Sequence, residues 1–286
     1  MRERIQHVDA CGIDWPGGFI PSMGRETPGP GARIPPPLFL YSFQGKECKR
    51  RRVHPTAGRV LRSRRAAHDK ISERLWTVML RVTEIFRSIQ GEGVRMGVPT
   101  TFVRLTGCNL RCRWCDTAFA YEGGREMSVA DVMAEVDRFG CSEVCITGGE
   151  PMAQHILPLV QRLVRSGRSV VVETNGSFPV GDLLIDGVSV SMDWKLPSSG
   201  VAGEMRLENL PLLRPVDQLK SVVSDAADLS ALVALLRRTP VRAPVVVQPV
   251  GGIDLEWLVD AVLSAGLDVR VLPQLHKIIW GEERGV

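Results

Sequence analysis

No run of eighteen or more apolar residues occurs in this chain of 286 residues, which excludes a transmembrane helix. The opening stretch, MRERIQHVDACGIDWPGG, holds no continuous apolar segment ahead of a small-residue cleavage site. A secretory signal is therefore not expected, and a cytoplasmic location is. Cysteine is scarce and odd in number, at seven residues, so a disulfide scaffold is not expected either. Basic clusters are present, but no aromatic residues interleave them and no nucleic-acid motif accompanies them. What remains, 44% hydrophobic and 24% charged residues, is the composition of a globular protein.

The net charge of +4 averages two unlike parts. Residues 1–78 carry 15 Lys and Arg against 7 Asp and Glu, whereas residues 79–286 carry 21 against 25. The front piece also holds 8 of the 19 prolines, in runs such as TPGPGARIPPP, and the basic clusters Lys49–Arg52 and Arg62–Arg65. Neither strand alternation nor a helical stripe persists there, so it buries too little apolar surface to offset its ordering entropy. Disorder is predicted over residues 1–78. The segment reads as a solvated tail, or as upstream sequence translated from a start codon set too early, with Met79 as the real start.

From Met79 onward, short β-branched runs alternate with amphipathic helices. Strands are predicted at Thr101–Leu105, Glu143–Thr147, Ser169–Glu173, Val188–Asp193, Gln218–Val223, Pro244–Gln248 and Asp268–Leu272. Helices are predicted at Ser128–Phe139, His155–Arg165, Leu229–Arg237 and Leu255–Ala265, the first opened by a capping box of Ser128 and Asp131. This order implies parallel strands with helical crossovers. About 208 residues are few for eight full repeats, since complete barrels usually need roughly 250. The predicted fold is α/β, a partial, open TIM-like barrel in residues 79–286.

The polar residues cluster just after the strands: Gly107–Cys108, Thr147–Glu150, Glu173–Gly176, Asp193–Lys195, Gln248–Pro249 and Pro273–Gln274. In a parallel barrel these positions share one rim, where barrel enzymes build their sites. Directly after the strand Thr101–Leu105, Cys108, Cys112 and Cys115 form C-x3-C-x2-C. A loop that tight converges three thiolates on a small volume, which suits a metal centre. A structural zinc site needs a fourth ligand, for which Cys141, Cys145 and His155 are the candidates. The strand pattern aims Cys145 into the core, and Cys141 and Cys145 both read as packing. Three thiolates without a fourth partner describe a cubane cluster with one open iron.

C-x3-C-x2-C after a strand, with Trp114 before the last cysteine and GGEP at Gly148–Pro151 after the next strand, resembles the radical S-adenosylmethionine (SAM) superfamily. The resemblance narrows with SIQGEG at Ser88–Gly93, ETNG at Glu173–Gly176, KLPSSG at Lys195–Gly200, DQLK at Asp217–Lys220 and PQLHK at Pro273–Lys277. These elements are similar to the 7-carboxy-7-deazaguanine synthase family, over residues 79–286 and none of 1–78. Members convert 6-carboxy-5,6,7,8-tetrahydropterin to 7-carboxy-7-deazaguanine with loss of ammonia, on the route to queuosine and other 7-deazapurines. The resemblance implies a [4Fe-4S] cluster on Cys108, Cys112 and Cys115, SAM on its fourth iron, and Mg2+. One departure stands out: many members have SPK where this chain has Asp193–Trp194–Lys195.

Residue by residue, the resemblance implies substrate contacts from Ile89, Gln90, Gly91, Glu92, Arg104, Thr147 and His276. Arg104 would bind the substrate carboxylate, which suits its planar fork. Gln90 offers the donor and acceptor that a pterin edge requires. Thr117 matches the magnesium position, although Asp116 is the more natural ligand by chemistry alone. SAM contacts are expected from Trp114, Asp116, Gly148, Gly149, Glu150, Asn175, Ser191, Asp193, Lys195 and Gln248. No residue is assigned as an acid or base, because the radical derives from SAM. The expected partners are the pterin, an external electron donor such as flavodoxin or ferredoxin, and a second copy of the chain; no membrane or direct nucleic-acid partner is expected. Two other readings compete. A radical-generating activase acting on a glycyl loop would also use the cysteine triplet, but has no need of SIQGEG or PQLHK. A nucleic-acid-binding protein with a structural cluster would use the basic front piece, against the acidic body.

Overall fold

The computed structural model describes residues 77–252 and 254–286. The disorder expected of residues 1–78 therefore lies, but for its last two residues, outside the described part. Among the described residues nine strands form one sheet: β1 (Met79–Ile89), β2 (Pro99–Leu105), β3 (Arg125–Ser128), β4 (Glu143–Gly148), β5 (Ser169–Thr174), β6 (Val188–Asp193), β7 (Gln218–Val223), β8 (Val245–Pro249) and β9 (Arg270–Val271). The helices are α1 (Val129–Phe139), α2 (Leu157–Arg165), α3 (Ala226–Arg238), α4 (Glu256–Ser264) and α5 (Leu275–Trp280). The order β3-β1-β2-β4-β5-β6-β7-β8-β9 leaves the sheet open at both edges. From β2 to β9 neighbouring strands are parallel, as expected of an open barrel. Among the described residues no helix is long and apolar enough to cross a membrane.

Alternation along the parallel strands sorts the two faces of the sheet. Val103, Leu105, Val144, Ile146, Val170, Val172, Val188, Val190 and Leu219 face outward into one buried core with Val132 and Val136 of α1, Leu159 and Leu163 of α2, and Leu232 of α3. The residues between them, Arg104, Thr147, Glu173, Ser191, Asp193 and Lys220, face the concave side. The register sets them side by side: Arg104 opposite Thr147, Glu173 opposite Ser191, and Asp193 opposite Lys220. Phe86, Phe102, Cys145 and Val171 form a small apolar floor beneath them.

Two strands escape the sequence reading. β1 runs antiparallel to β2 and to β3, which turns the first edge of the barrel into a hairpin-like layer. The reason is a bulge: Val82 pairs with Leu105 and Glu84 with Arg104, leaving Thr83 unpaired. Leu80, Val82 and Ile85 therefore face the core while Glu84, Phe86 and Ser88 face the cavity. One extra residue shifts the period of two, so no regular alternation survives in the sequence. The capping box does form: Ser128 Oγ accepts from the Asp131 N–H at 3.1 Å, and Asp131 Oδ2 accepts from the Ser128 N–H at 3.0 Å.

Gly148, at the end of β4, adopts φ +129, and a Cβ there would lie 2.1 Å from the Leu105 carbonyl oxygen. Gly140, which ends α1, has φ +67 with nothing within 4 Å of a Cβ. Gly140→Ala should cost only the left-handed conformational penalty, about 1–2 kcal/mol. Gly148→Ala must also displace strand backbone, so its denaturation midpoint should fall further than that of Gly140→Ala; equal midpoints would contradict the close packing of β2 on β4.

Candidate active site

The concave face encloses a cavity of about 390 Å³. The cysteine loop that borders it is tied down at both ends. The Gly107 N–H donates to Ala120 O at 2.8 Å, Cys115 N–H to Cys112 O at 3.4 Å, and Arg113 N–H to Ser199 O at 3.0 Å. Leu110 anchors the middle by burial. All three thiols, on Cys108, Cys112 and Cys115, line the cavity and are half-buried. Burial pushes the Cys108 and Cys112 thiols up, although Lys195 opposes this at Cys112. A cationic centre that binds thiolates would offset that desolvation. Among the described residues no three His, Cys, Asp or Glu side chains close on one point as a single-ion site requires. A cubane asks for something else, one thiolate for each of three irons, and the donor set fits it.

The strand-end glycines dock on this loop. The Gly149 N–H donates to Leu105 O at 3.0 Å and the Glu150 N–H to Gly107 O at 2.8 Å. A Cβ on Gly149 would lie 2.0 Å from Gly107 O and 3.0 Å from Cys108 Cβ, so only glycine allows the approach. Glu150 itself does not line the cavity. Its buried carboxylate accepts from Thr174 Oγ1 at 2.8 Å, the Asn175 N–H at 2.6 Å and the Met152 N–H at 2.9 Å. Burial raises its pKa, and these bonds pull it back. Glu150 thus shapes the turn that presents Asn175, whose Nδ2 lies 3.9 Å from Cys108 Sγ.

Opposite the cysteines sit the residues expected to hold substrate. Ile89, Gln90, Gly91, Glu92, Arg104, Thr147 and His276 all line the cavity. Arg104 gives its Nε–H to Glu84 at 2.7 Å and lies over the rings of Phe86 and Phe119, at 5.7 and 5.6 Å. Glu173 accepts from Thr147 Oγ1 at 2.7 Å and from Gln90 Nε2 at 3.1 Å. The His276 ring packs on Gly91, where a Cβ would meet Nδ1 at 2.2 Å. Trp114, Asp116 and Thr117 border the cavity on the cysteine side, with Thr117 Oγ1 3.6 Å from Cys115 Sγ.

A ladder of charges joins the two halves. Gln274 Nε2 donates to Glu92 Oε1 at 2.6 Å, and Lys220 bridges Glu92 to Asp193, the latter at 3.1 Å. Lys195 completes it at 3.0 Å from Asp193. Burial alone would raise Asp193, but Lys195 and Lys220 outweigh it and push it down to about 2. Glu92 is lowered because Lys220 outweighs its burial. Burial likewise opposes the charge on Lys220, yet Asp193 and Glu92 raise it well above the usual lysine range. Asp193 Oδ1 is buried with no hydrogen-bond partner among the described residues.

Of the expected SAM contacts, Trp114, Asp116, Gly148, Gly149, Asn175, Ser191, Asp193 and Lys195 border the cavity, whereas Glu150 and Gln248 do not. Gln248 is fully buried and donates to Pro273 O at 2.9 Å. Sequence reasoning gave no role to Glu84, Glu173, Lys220 or Gln274, although Glu173 and Gln274 fell in the polar rim cluster. Glu173, Lys220 and Gln274 stood inside quoted motifs, and strand alternation from Val171 and Gln218 would have turned the first two inward. Glu84 carried no signal, because the bulge hides its face.

An open α/β barrel with a C-x3-C-x2-C loop on its C-terminal rim defines a radical SAM enzyme, and residues 102–192 match the model of the Radical SAM superfamily. It uses a [4Fe-4S] cluster and SAM. The chain is 40% identical to 7-carboxy-7-deazaguanine synthase of Thermoplasma acidophilum over 207 residues, which cover 72% of this chain and 99% of that protein. The Koribacter versatilis 7-carboxy-7-deazaguanine synthase is 39% identical over 223 residues, covering 71% and 98%. The crystal structure of QueE from Escherichia coli aligns with a TM-score of 0.58 at 27% identity, over 68% of this chain and 92% of that one. The chain belongs to the 7-carboxy-7-deazaguanine synthase family.

Iron and sulfide content should collapse in a Cys108/Cys112/Cys115 triple-alanine variant and persist when Cys141 and Cys145 are replaced by serine and alanine respectively. Full loading with zinc, without iron-dependent absorbance after anaerobic reconstitution, would instead point to a structural metal site.

Proposed function

We propose that the chain converts 6-carboxy-5,6,7,8-tetrahydropterin to 7-carboxy-7-deazaguanine with loss of ammonia, as a cytoplasmic step toward queuosine and related 7-deazapurines. The observation that carries this reading is the pairing of a carboxylate reader with a purine-edge reader in one cavity. Arg104 is fixed through Nε, leaving its terminal N–H groups for a carboxylate. Gln90, Thr147 and Glu173 present donors and acceptors in one hydrogen-bonded set, which suits a flat heterocycle. The competing activase reading finds no support among the relatives, which are named for the deazaguanine reaction. Anaerobic reconstitution followed by product analysis with the carboxytetrahydropterin tests it. Formation of the deazapurine is expected, and deoxyadenosine without it, in the presence of a glycyl-radical protein, would favour the activase.

Cys108, Cys112 and Cys115 would hold the cluster, and with SAM bound that centre supplies a carbon radical that abstracts hydrogen. The chain's own residues orient and enclose. Arg104 and the Gln90–Glu173 set fix the substrate in its plane, and Gly148, Gly149 and Asn175 hold the methionine end of SAM. Asp193, with Oδ1 buried and without a hydrogen-bond partner among the described residues, offers an acceptor to a SAM hydroxyl where many members carry SPK. Lys195 and Ser191 flank it. His276, against Gly91, closes the substrate side and excludes water. The reading includes Mg2+ at Thr117, an external flavodoxin- or ferredoxin-like donor, and a homodimer.

Residues 79–286 are the functional domain in this reading, and a chain beginning at Met79 should bind its cluster and turn over like the full-length protein. Loss of cluster or fold in that truncation would make the basic segment structural. The magnesium assignment makes a sharper demand. Mg2+ takes few protein oxygens when substrate and water fill its octahedron. Thr117→Ala should keep cluster and SAM binding but turn over slowly and respond weakly to added Mg2+, while Thr117→Ser keeps more activity. Equal rates and equal magnesium response would transfer the role to Asp116.

A further inference from the structure

We propose that Arg284 is a second guanidinium of the substrate-carboxylate site, acting with Arg104 beside the ring of Phe119; this rests on the pterin reading above. Arg284 lies in the segment that follows α5 and lines the cavity. Its Cζ is 3.9 Å from the Phe119 centroid, and that of Arg104 is 5.6 Å from the same centroid. The two guanidiniums are therefore no farther apart than the sum of those distances. A carboxylate has two acceptor oxygens and can take hydrogen bonds from two guanidiniums gathered at one ring.

The two arginines are held differently. Arg104 is 16% exposed and spends its Nε–H on Glu84. Arg284 is exposed and makes no ion pair among the described residues. Glu84 is engaged by Arg104 and Glu282 by Lys277 at 3.5 Å. Glu283, which lines the same mouth, does not pair with it either. A guanidinium stacked on a ring keeps its N–H donors free for a ligand. Phe119 follows Thr117 in the turn Ala118–Ala120, so the stack sets both arginines next to the loop that carries the cysteines.

The test compares anaerobic equilibrium binding of 7-carboxy-7-deazaguanine and of 7-deazaguanine, which lacks the carboxylate, to the reconstituted full-length enzyme with SAM. Mg2+ is omitted so that protein groups alone read the carboxylate. The parent should prefer the carboxylated ligand; no preference would overturn the pterin-carboxylate reading itself, Arg104 included. In Arg284→Gln the preference should fall by about tenfold with 7-deazaguanine affinity unchanged, and Arg284→Lys should recover part of it. An unchanged preference, or an equal loss for both ligands, would overturn the role of Arg284 and leave Arg104 as the sole reader.

Discussion

Lys220 is the charge on which the concave face depends. A half-barrel whose inner face carries carboxylates and ammonium groups loses hydration as it folds, and an unpaired buried charge costs several kcal/mol. Lys220 meets this by serving two carboxylates that come from different parts of the chain, Glu92 before β2 and Asp193 at the end of β6. Gln274 then satisfies the outer oxygen of Glu92, and Lys195 shares Asp193 Oδ2 with Lys220, leaving Asp193 Oδ1 without a partner among the described residues. The arrangement therefore fixes four segments against one another: the Gln90–Gly93 loop, β6, β7 and the start of α5. Among the described residues the small apolar cluster on the inner face, Phe86, Phe102, Cys145 and Val171, comes from β1, β2, β4 and β5 and includes none of these segments.

On the opposite side of the cavity backbone does what charge does here. Gly148 and Gly149 let β4 end against Leu105 and Gly107, so the cysteine loop starts from a fixed platform. Glu150 extends that platform to the next strand by holding the Thr174–Asn175 turn. The GGEP motif is thus a brace between three strand ends. Its glutamate is spent on protein groups, whereas Asn175 and the three cysteines beside it are among the side chains that face the cavity.

The parallel part of the fold was legible because its strands are apolar on the outer face and its helices carry stripes of the right period. Val144 and Ile146, or Leu159 and Leu163, can be read from spacing alone. β1 was not legible, because the bulge at Thr83 breaks the alternation in its middle. Much of the site was legible for a related reason: polar residues at strand ends have few structural uses, so their clustering located the rim. Glu173 stood at the edge of that rim, whereas Lys220 lies inside its strand, where a polar residue reads as an irregularity in a buried run. What they do depends on partners far away in sequence, Gln90 and Thr147 for Glu173, Glu92 for Lys220, and spacing cannot reveal those. Arg284 lies beyond the quoted motifs, and its meaning comes wholly from the ring it stacks on.

The same ladder constrains how the site responds to pH. Asp193 is depressed from an ordinary 3.8 to about 2, and Glu92 is lowered too. Their contribution to stability is therefore present above the unfolded carboxylate range and is lost as pH falls through the folded values. Lys195 and Lys220 are raised from an ordinary 10.5, so their contribution is present below that value and is lost as pH rises through the folded ones. Between those limits every rung keeps its charge, and neutral pH lies in the middle of the interval. The charged framework of the cavity is thus electrostatically constant around neutral pH. In the proposed reaction, protons released or taken up with ammonia can come and go there without loosening the segments that the ladder ties together.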